Sequence, residues 1–204
     1  IVGGIYVGLV ADDWVIEGNY IGTNPVDDDL ANGLGVGVRI VGNRNRVGGP
    51  GVGNIIKYSY AGIQVDQAAS ANNQFFENVI SEVTGAIFIN SGSNGGVLAP
   101  TLTRADMDDL GTLSVTVQAA STGVVEVFVT DATGQYAEAF VGTPRPYTTA
   151  GAPQVLVGGD GTAAGLSVGS SVVATFTDTN GVTNTSTLSA SEVIVAAATN
   201  AADK

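Results

Sequence analysis

Two all-β parts in succession are what this sequence predicts: stacked coils of short strands, then a layered set of longer ones. Three observations carry the prediction. Gly accounts for 29 of 204 residues and aromatics for only 6%, the profile of many tight turns between strands. In the first half a small residue repeatedly opens a β-rich run and, a fixed interval later, Asn precedes an aliphatic pair. From about Leu98 onward the runs lengthen and alternate apolar with polar residues.

The openings are Gly4-Ile5-Tyr6-Val7, Gly37-Val38-Arg39-Ile40 and Gly62-Ile63-Gln64-Val65. The matching Asn sites are Asn19-Tyr20-Ile21, Asn54-Ile55-Ile56 and Asn78-Val79-Ile80, so Gly to Asn spans 15, 17 and 16 residues. A fourth opening, Ala86-Ile87-Phe88-Ile89, is not completed. Openings lie 33, 25 and 24 residues apart, and a ten-residue insertion, Thr23 to Asn32, lengthens the first interval. Recurrence at this scale marks a stacked architecture. Each period holds about three short β runs, in the third Ile63–Val65, Gln74–Phe76 and Val79–Ile80. Runs so short cannot hold a hairpin core, but stacked in parallel at ~4.8 Å they form continuous inward ladders. That predicts a short right-handed parallel β-helix of about three and a half coils over residues 1–97. The recurring Asn suits a bend in αL geometry, or a ladder of stacked amides.

Beyond Gly95-Gly96, Leu113–Val117, Val125–Val129 and Val172–Thr177 read as half-buried antiparallel strands. Turn signals separate the strands at residues 121–123, 131–134, 158–161 and 178–181. An immunoglobulin-like β-sandwich over 98–198 follows, without the Cys pair or strand Trp of an antibody domain. Residues 199–204 read as a flexible tail.

The segment Gly18-Asn19-Tyr20-Ile21-Gly22-Thr23-Asn24, with Gly37-Val38-Arg39-Ile40 and Asn54-Ile55-Ile56, resembles the β-helix repeats of bacterial secreted and surface proteins. Those repeats commonly carry the same longer loop after the Asn-aromatic-Ile-Gly-Thr element. The run from Val172 to Ser186 is similar to the closing strands of sandwich domains that follow such helices. Related chains show many coils, and this one only three and a half.

Composition excludes several functions. A net charge of −12, from 19 acidic against 7 basic residues, leaves no cluster to neutralise phosphates, which argues against nucleic acid; the same acidity would suit a salt-adapted source. No apolar run is long enough to span a membrane. The chain begins at Ile1 and its only Met is Met107, the mark of a processed product or a fragment.

The opening Ile1-Val2-Gly3-Gly4 imitates a trypsin-like mature terminus, but there is no His for that machinery. Without His or Cys only oxygen ligands remain for a metal. Asp27, Asp28 and Asp29 are the candidates, for calcium, against the plainer reading of a solvated loop; no other cofactor is expected. A polysaccharide lyase or hydrolase would need paired carboxylates in a groove, for which Asp12, Asp13, Glu17, Glu77 and Glu82 are the acids and Arg39 a uronate-neutralising base. Tyr58 and Tyr60 would stack on sugar, or form an aromatic ladder with Phe75 or Phe88. Asn184-Thr185-Ser186 matches a glycosylation sequon.

An uncapped β-helix end exposes unpaired backbone groups and the ends of its apolar ladders. The sandwich can cover one end. The other end begins at Ile1, Val2, Ile5 and Val7, the expected self-assembly residues. The sequence therefore predicts a non-catalytic extracellular or cell-surface protein that assembles head to tail into a fibre, filament or layer. The alternatives are a carbohydrate-binding adhesin fragment and a lyase-like enzyme.

Overall fold

The computed structural model describes residues 4–30, 35–181 and 183–198. Ile1 and Val2 of the expected assembly residues, and the expected tail at 199–204, lie outside them. Three coils follow one another. The first holds β1 (Ile5–Val7), β2 (Val15–Ile16) and β3 (Tyr20–Ile21), the second β4 (Val36–Ile40), β5 (Arg46–Gly48) and β6 (Ile55–Ile56). The third holds β7 (Ser59–Val65), β8 (Gln74–Phe76) and β9 (Val79–Ile80), and β10 (Val83–Ile89) opens a fourth. Like strands stack into three parallel sheets, β1-β4-β7-β10, β2-β5-β8 and β3-β6-β9. Ile5 pairs with Val38, Val38 with Ile63 and Ile63 with Ile87, so the register reproduces the spacing of the openings.

Alternation sends one side chain inward from each short strand. Val7, Ile40 and Val65 make one ladder, Ile16, Val47 and Phe75 a second, Ile21, Ile56 and Ile80 a third, and all are buried. The opening glycines are dictated by the stack. A Cβ on Gly37 would lie 2.4 Å from Ile56 Cγ2 and 2.6 Å from Gly62 O; on Gly62 it would lie 2.3 Å from Ile80 Cγ2 and 2.6 Å from Ala86 O. Each would strike the carbonyl of the next opening. Ala86 has no further coil of this kind beneath it, which accounts for a methyl at that opening alone.

The recurring Asn residues form the expected amide ladder. Asn19 donates from its backbone N–H and its Nδ2 to Asn54 Oδ1, both at 3.0 Å, and Asn54 repeats this to Asn78 Oδ1 at 3.1 and 2.9 Å. The αL expectation needs correction. The left-handed residues are the neighbours Gly18 and Glu77, at φ 66° and 52°; the Asn residues serve through their side chains. A second ladder, at the bend before β5 and β8, joins Asn45 to Asn73 Oδ1 and Asn73 to Asn94 Oδ1.

After a 3₁₀ turn at Asn94–Gly96, nine further strands are described: β11 (Thr101–Met107), β12 (Thr112–Gln118), β13 (Gly123–Thr130), β14 (Ala139–Phe140), β15 (Arg145–Tyr147), β16 (Gln154–Asp160), β17 (Ser171–Asp178), β18 (Asn184–Thr185) and β19 (Glu192–Ala196). They form one mixed sheet that curls into a sandwich. β19 joins its layers, pairing antiparallel with β17 through Glu192 and Val193 and parallel with β11 through Ile194 to Ala196. Leu113, Val115, Val125, Phe176 and Ile194 pack between them. The turn expected at 158–161 starts later, because β16 continues to Asp160. Gly159, at φ 119°, instead accommodates a bulge where the pairing with β12 shifts between Leu113 and Ser114.

The sandwich completes the unfinished fourth coil. Asn94 Nδ2 donates to Thr185 O, the Phe75 N–H donates to Thr185 Oγ1, and Thr185 N–H donates back to Asn73 O. Below β9, Ile80 and Ala137 exchange both backbone bonds, at 2.7 and 2.9 Å. Phe128, Ala137 and Val173 extend the apolar core of the coils. Glu126, fully buried on β13, accepts the Glu77 N–H at 3.1 and 3.2 Å, so a carboxyl group from the sandwich satisfies the bend N–H beside the last rung of the Asn ladder.

Burial pushes the Glu126 carboxyl up to about 8 from its ordinary 4.5, against the Glu77 N–H, which lowers it. A raised folded-state value means that the folded protein holds a proton the unfolded chain has lost. The contribution is therefore complete below about 4.5 and lost as pH rises through about 8. Denaturant titrations of Glu126→Gln and the parent should diverge over that window, the variant gaining roughly 2–4 kcal/mol relative to the parent by pH 8; parallel profiles would contradict the assignment. Gly62→Val should cost about 3 kcal/mol or more in the same assay, and a neutral result would mean the coils are not so closely stacked.

Candidate assembly surface

β1, β2 and β3 each terminate their sheet, and among the described residues nothing pairs with their outer edges. In the Asn ladder each Oδ1 accepts from the coil before it, and no described donor reaches Asn19 Oδ1. The first coil thus presents an unfilled rung and three open strand edges. The opposite end is closed in two of the three sheets by Thr185 and Ala137, and among the described residues the outer edge of β10 is unpaired.

The side chains at the open end differ from expectation. Val7 is 2% exposed and Ile5 half-buried, so neither presents a free apolar ladder end. Several exposed apolar groups lie around the first coil instead. Tyr6, Val15 and Tyr20 point outward from its strands, and Leu9, Val10 and Trp14 project from the bend between them, Val10 at 96% exposure. The alternation of short strands could have revealed the first three. Nothing local marks the others as surface groups.

Ion pairs tie this coil to the next. Arg44 binds Asp13 at 2.8 Å and Asp12 at 3.3 Å, Arg46 binds Glu17 at 2.8 Å, and Lys57 binds Asp27 at 2.8 Å. The Arg44 hydrogen bond lowers the Asp13 carboxyl, that of Lys57 lowers Asp27, and Asp13 in turn raises Arg44. Arg39 lies 5.6 Å from the Tyr6 ring centroid and pairs with Asp66 of the third coil. These exposed pairs contribute modestly to stability.

The acidic loop does not gather its carboxylates. Asp27 turns to Lys57 and Thr23, while Asp28 accepts from Asn24 Nδ2 at 2.9 Å. Asn24 Oδ1 accepts the Val26 and Asp28 N–H groups, organising the loop by turn chemistry. Among the described residues no three His, Cys, Asp or Glu side chains are placed to hold a metal ion.

Four of the five acids weighed for lyase chemistry are engaged: Asp12, Asp13 and Glu17 by arginines, and Glu77 by the Gly51 N–H at 2.7 Å. Tyr60 stacks on Phe88 with centroids 6.0 Å apart, whereas the Tyr58 hydroxyl donates to Asp27 O. Asn184 of the sequon is buried and accepts the Asn72 N–H, so the folded chain does not offer it for glycosylation. Asp160 and Asp178 bind the turn N–H groups of Ala163 and Asn180.

Fold and surface together define a parallel β-helix capped at one end, whose first-coil strands have unpaired outer edges among the described residues. No protein-family model matches the chain, and no curated protein matches it in sequence. No helix among the described residues is long and apolar enough to cross a membrane.

Trp14 is the chain's only Trp and stands 59% exposed at the open end. Acrylamide should quench its fluorescence nearly as efficiently as that of a free indole in the isolated chain; strong protection would show that the face is already covered.

Proposed function

We propose that this is a non-catalytic structural protein of the extracellular space or cell surface, the closed end of a β-helical rod that joins a further parallel coil through its first-coil face. One observation carries the reading: among the described residues three sheets end at β1, β2 and β3 with unpaired outer edges, while the sandwich completes the coil at the other end. Unpaired edges recruit strands. The resemblance of the coils to bacterial secreted and surface repeats supports the location. The engagement of Arg39, Arg44, Arg46 and Lys57 in intercoil ion pairs supports a structural use for groups that a lyase would turn toward substrate.

Joining through one open face yields a polar rod, and such rods serve fibres, filaments or surface layers. Because two sheets are closed at the sandwich end, full head-to-tail stacking of copies has only the β10 edge to use there. A second reading, carbohydrate binding, is favoured by the outward rings of Tyr6, Trp14 and Tyr20, which suit stacking on sugar faces.

Carbodiimide cross-linking on intact producing cells tests the first reading. The protein should appear in the surface or secreted fraction, with links from Asp12, Asp13 or Glu17 to another β-coil segment. Recovery only from the cytoplasm, or links confined to the sandwich, would overturn it. Retention on a polysaccharide column that is lost in Trp14→Ala would favour the second reading.

A further inference from the structure

Charge in this chain is sorted by coil. Residues 4–30 contain six acids, Asp12, Asp13, Glu17, Asp27, Asp28 and Asp29, and no Lys or Arg. Residues 35–60 contain four bases, Arg39, Arg44, Arg46 and Lys57, and no acid. Residues 61–97 contain three acids, Asp66, Glu77 and Glu82, and no base. The stack therefore runs acidic, basic, acidic.

The structure uses that order. Arg44, Arg46 and Lys57 of the second coil all reach the first coil, and Arg39 reaches the third. Three of the four basic groups thus pair with four of the first coil's six carboxylates, Asp12, Asp13, Glu17 and Asp27, so by charge the first coil keeps an acidic excess. Asp13 and Asp27, although paired, remain more than half exposed. A charge of this sign disfavours a like-charged neighbour and attracts an opposite one.

We propose that the open first-coil face takes a basic β-coil, one carrying Lys or Arg over Asp12, Asp13, Glu17 and the Asp27–Asp29 loop, rather than a second copy of this chain. This rests on the reading that the face accepts a coil. Either end of a second copy is wrong in charge. Face to face, two acidic first coils meet. Face to tail, the first coil meets an acidic third coil and a sandwich in which residues 98–198 hold nine acids against two bases, Arg104 and Arg145. The coil that fits has the charge pattern of this chain's own second coil, so the acidic-basic alternation continues outward.

The test extends the full chain at its N-terminus by one coil in three versions. One copies residues 35–60; the others carry Gln, or Glu, at the copies of Arg39, Arg44, Arg46 and Lys57. At low salt the basic copy should unfold about 3 °C or more above the Gln copy, with the Glu copy lowest, and high salt should compress the differences. Trp14 should be shielded from acrylamide in the basic extension. Equal melting temperatures with Trp14 shielded in all three would overturn the charge preference and leave the coil-accepting face intact. Trp14 unshielded in every version would overturn both. Sedimentation of the unextended chain supplies the other arm: a monomer at low ionic strength is expected, and dimerisation there would make a second copy the occupant.

Discussion

Everything in the first half of this protein follows from how closely parallel coils must stack. Backbones ~4.8 Å apart leave no room for a side chain where one opening lies over the next. Gly37 and Gly62 meet that constraint by omission, and Ala86 is free of it because the stack of such openings ends there. The same proximity lets an Asn amide in one coil reach its counterpart in the next and satisfy bend N–H groups that no strand pairing reaches. Closeness, then, selects small residues at one corner and amides at two others.

A stack of this kind must solve its ends separately. At the sandwich end the solution is a borrowed coil. β18 takes the place of a strand beneath β8, Ala137 does so beneath β9, and Glu126 satisfies the Glu77 N–H at the bend beside Asn78. The use of a titratable acid there makes this junction sensitive to pH, because the carboxyl is shut away from water among Phe75, Phe128 and Leu188. At the other end the described strands have no such substitute, and exposed apolar groups collect around them. The asymmetry gives the molecule a direction.

Much of this was legible in the sequence because backbone proximity leaves a periodic trace. The Gly openings and the Asn19, Asn54 and Asn78 sites recur with the register the strands adopt. The second amide ladder was not legible. Asn45, Asn73 and Asn94 lie at 28- and 21-residue intervals, since the bends between sheets vary in length and blur the period. Glu126 and Thr185 were hidden for a different reason: their partners Glu77 and Phe75 belong to the other half of the chain, and no local pattern announces a contact at that separation. The open surface was half legible. That β1 would be an edge strand followed from its place in the repeat, but the burial of Val7 and the exposure of Leu9, Val10 and Trp14 depend on which way each side chain turns at a bend.

Hydrogen–deuterium exchange resolved to single amides tests the asymmetry of the two ends most directly. The account predicts slow exchange at Phe75 and Ile80, whose N–H groups are bound by Thr185 and Ala137, and fast exchange along the outer edges of β1, β2 and β3. Fast exchange at Phe75 and Ile80, or equal protection at both ends of the stack, would contradict it.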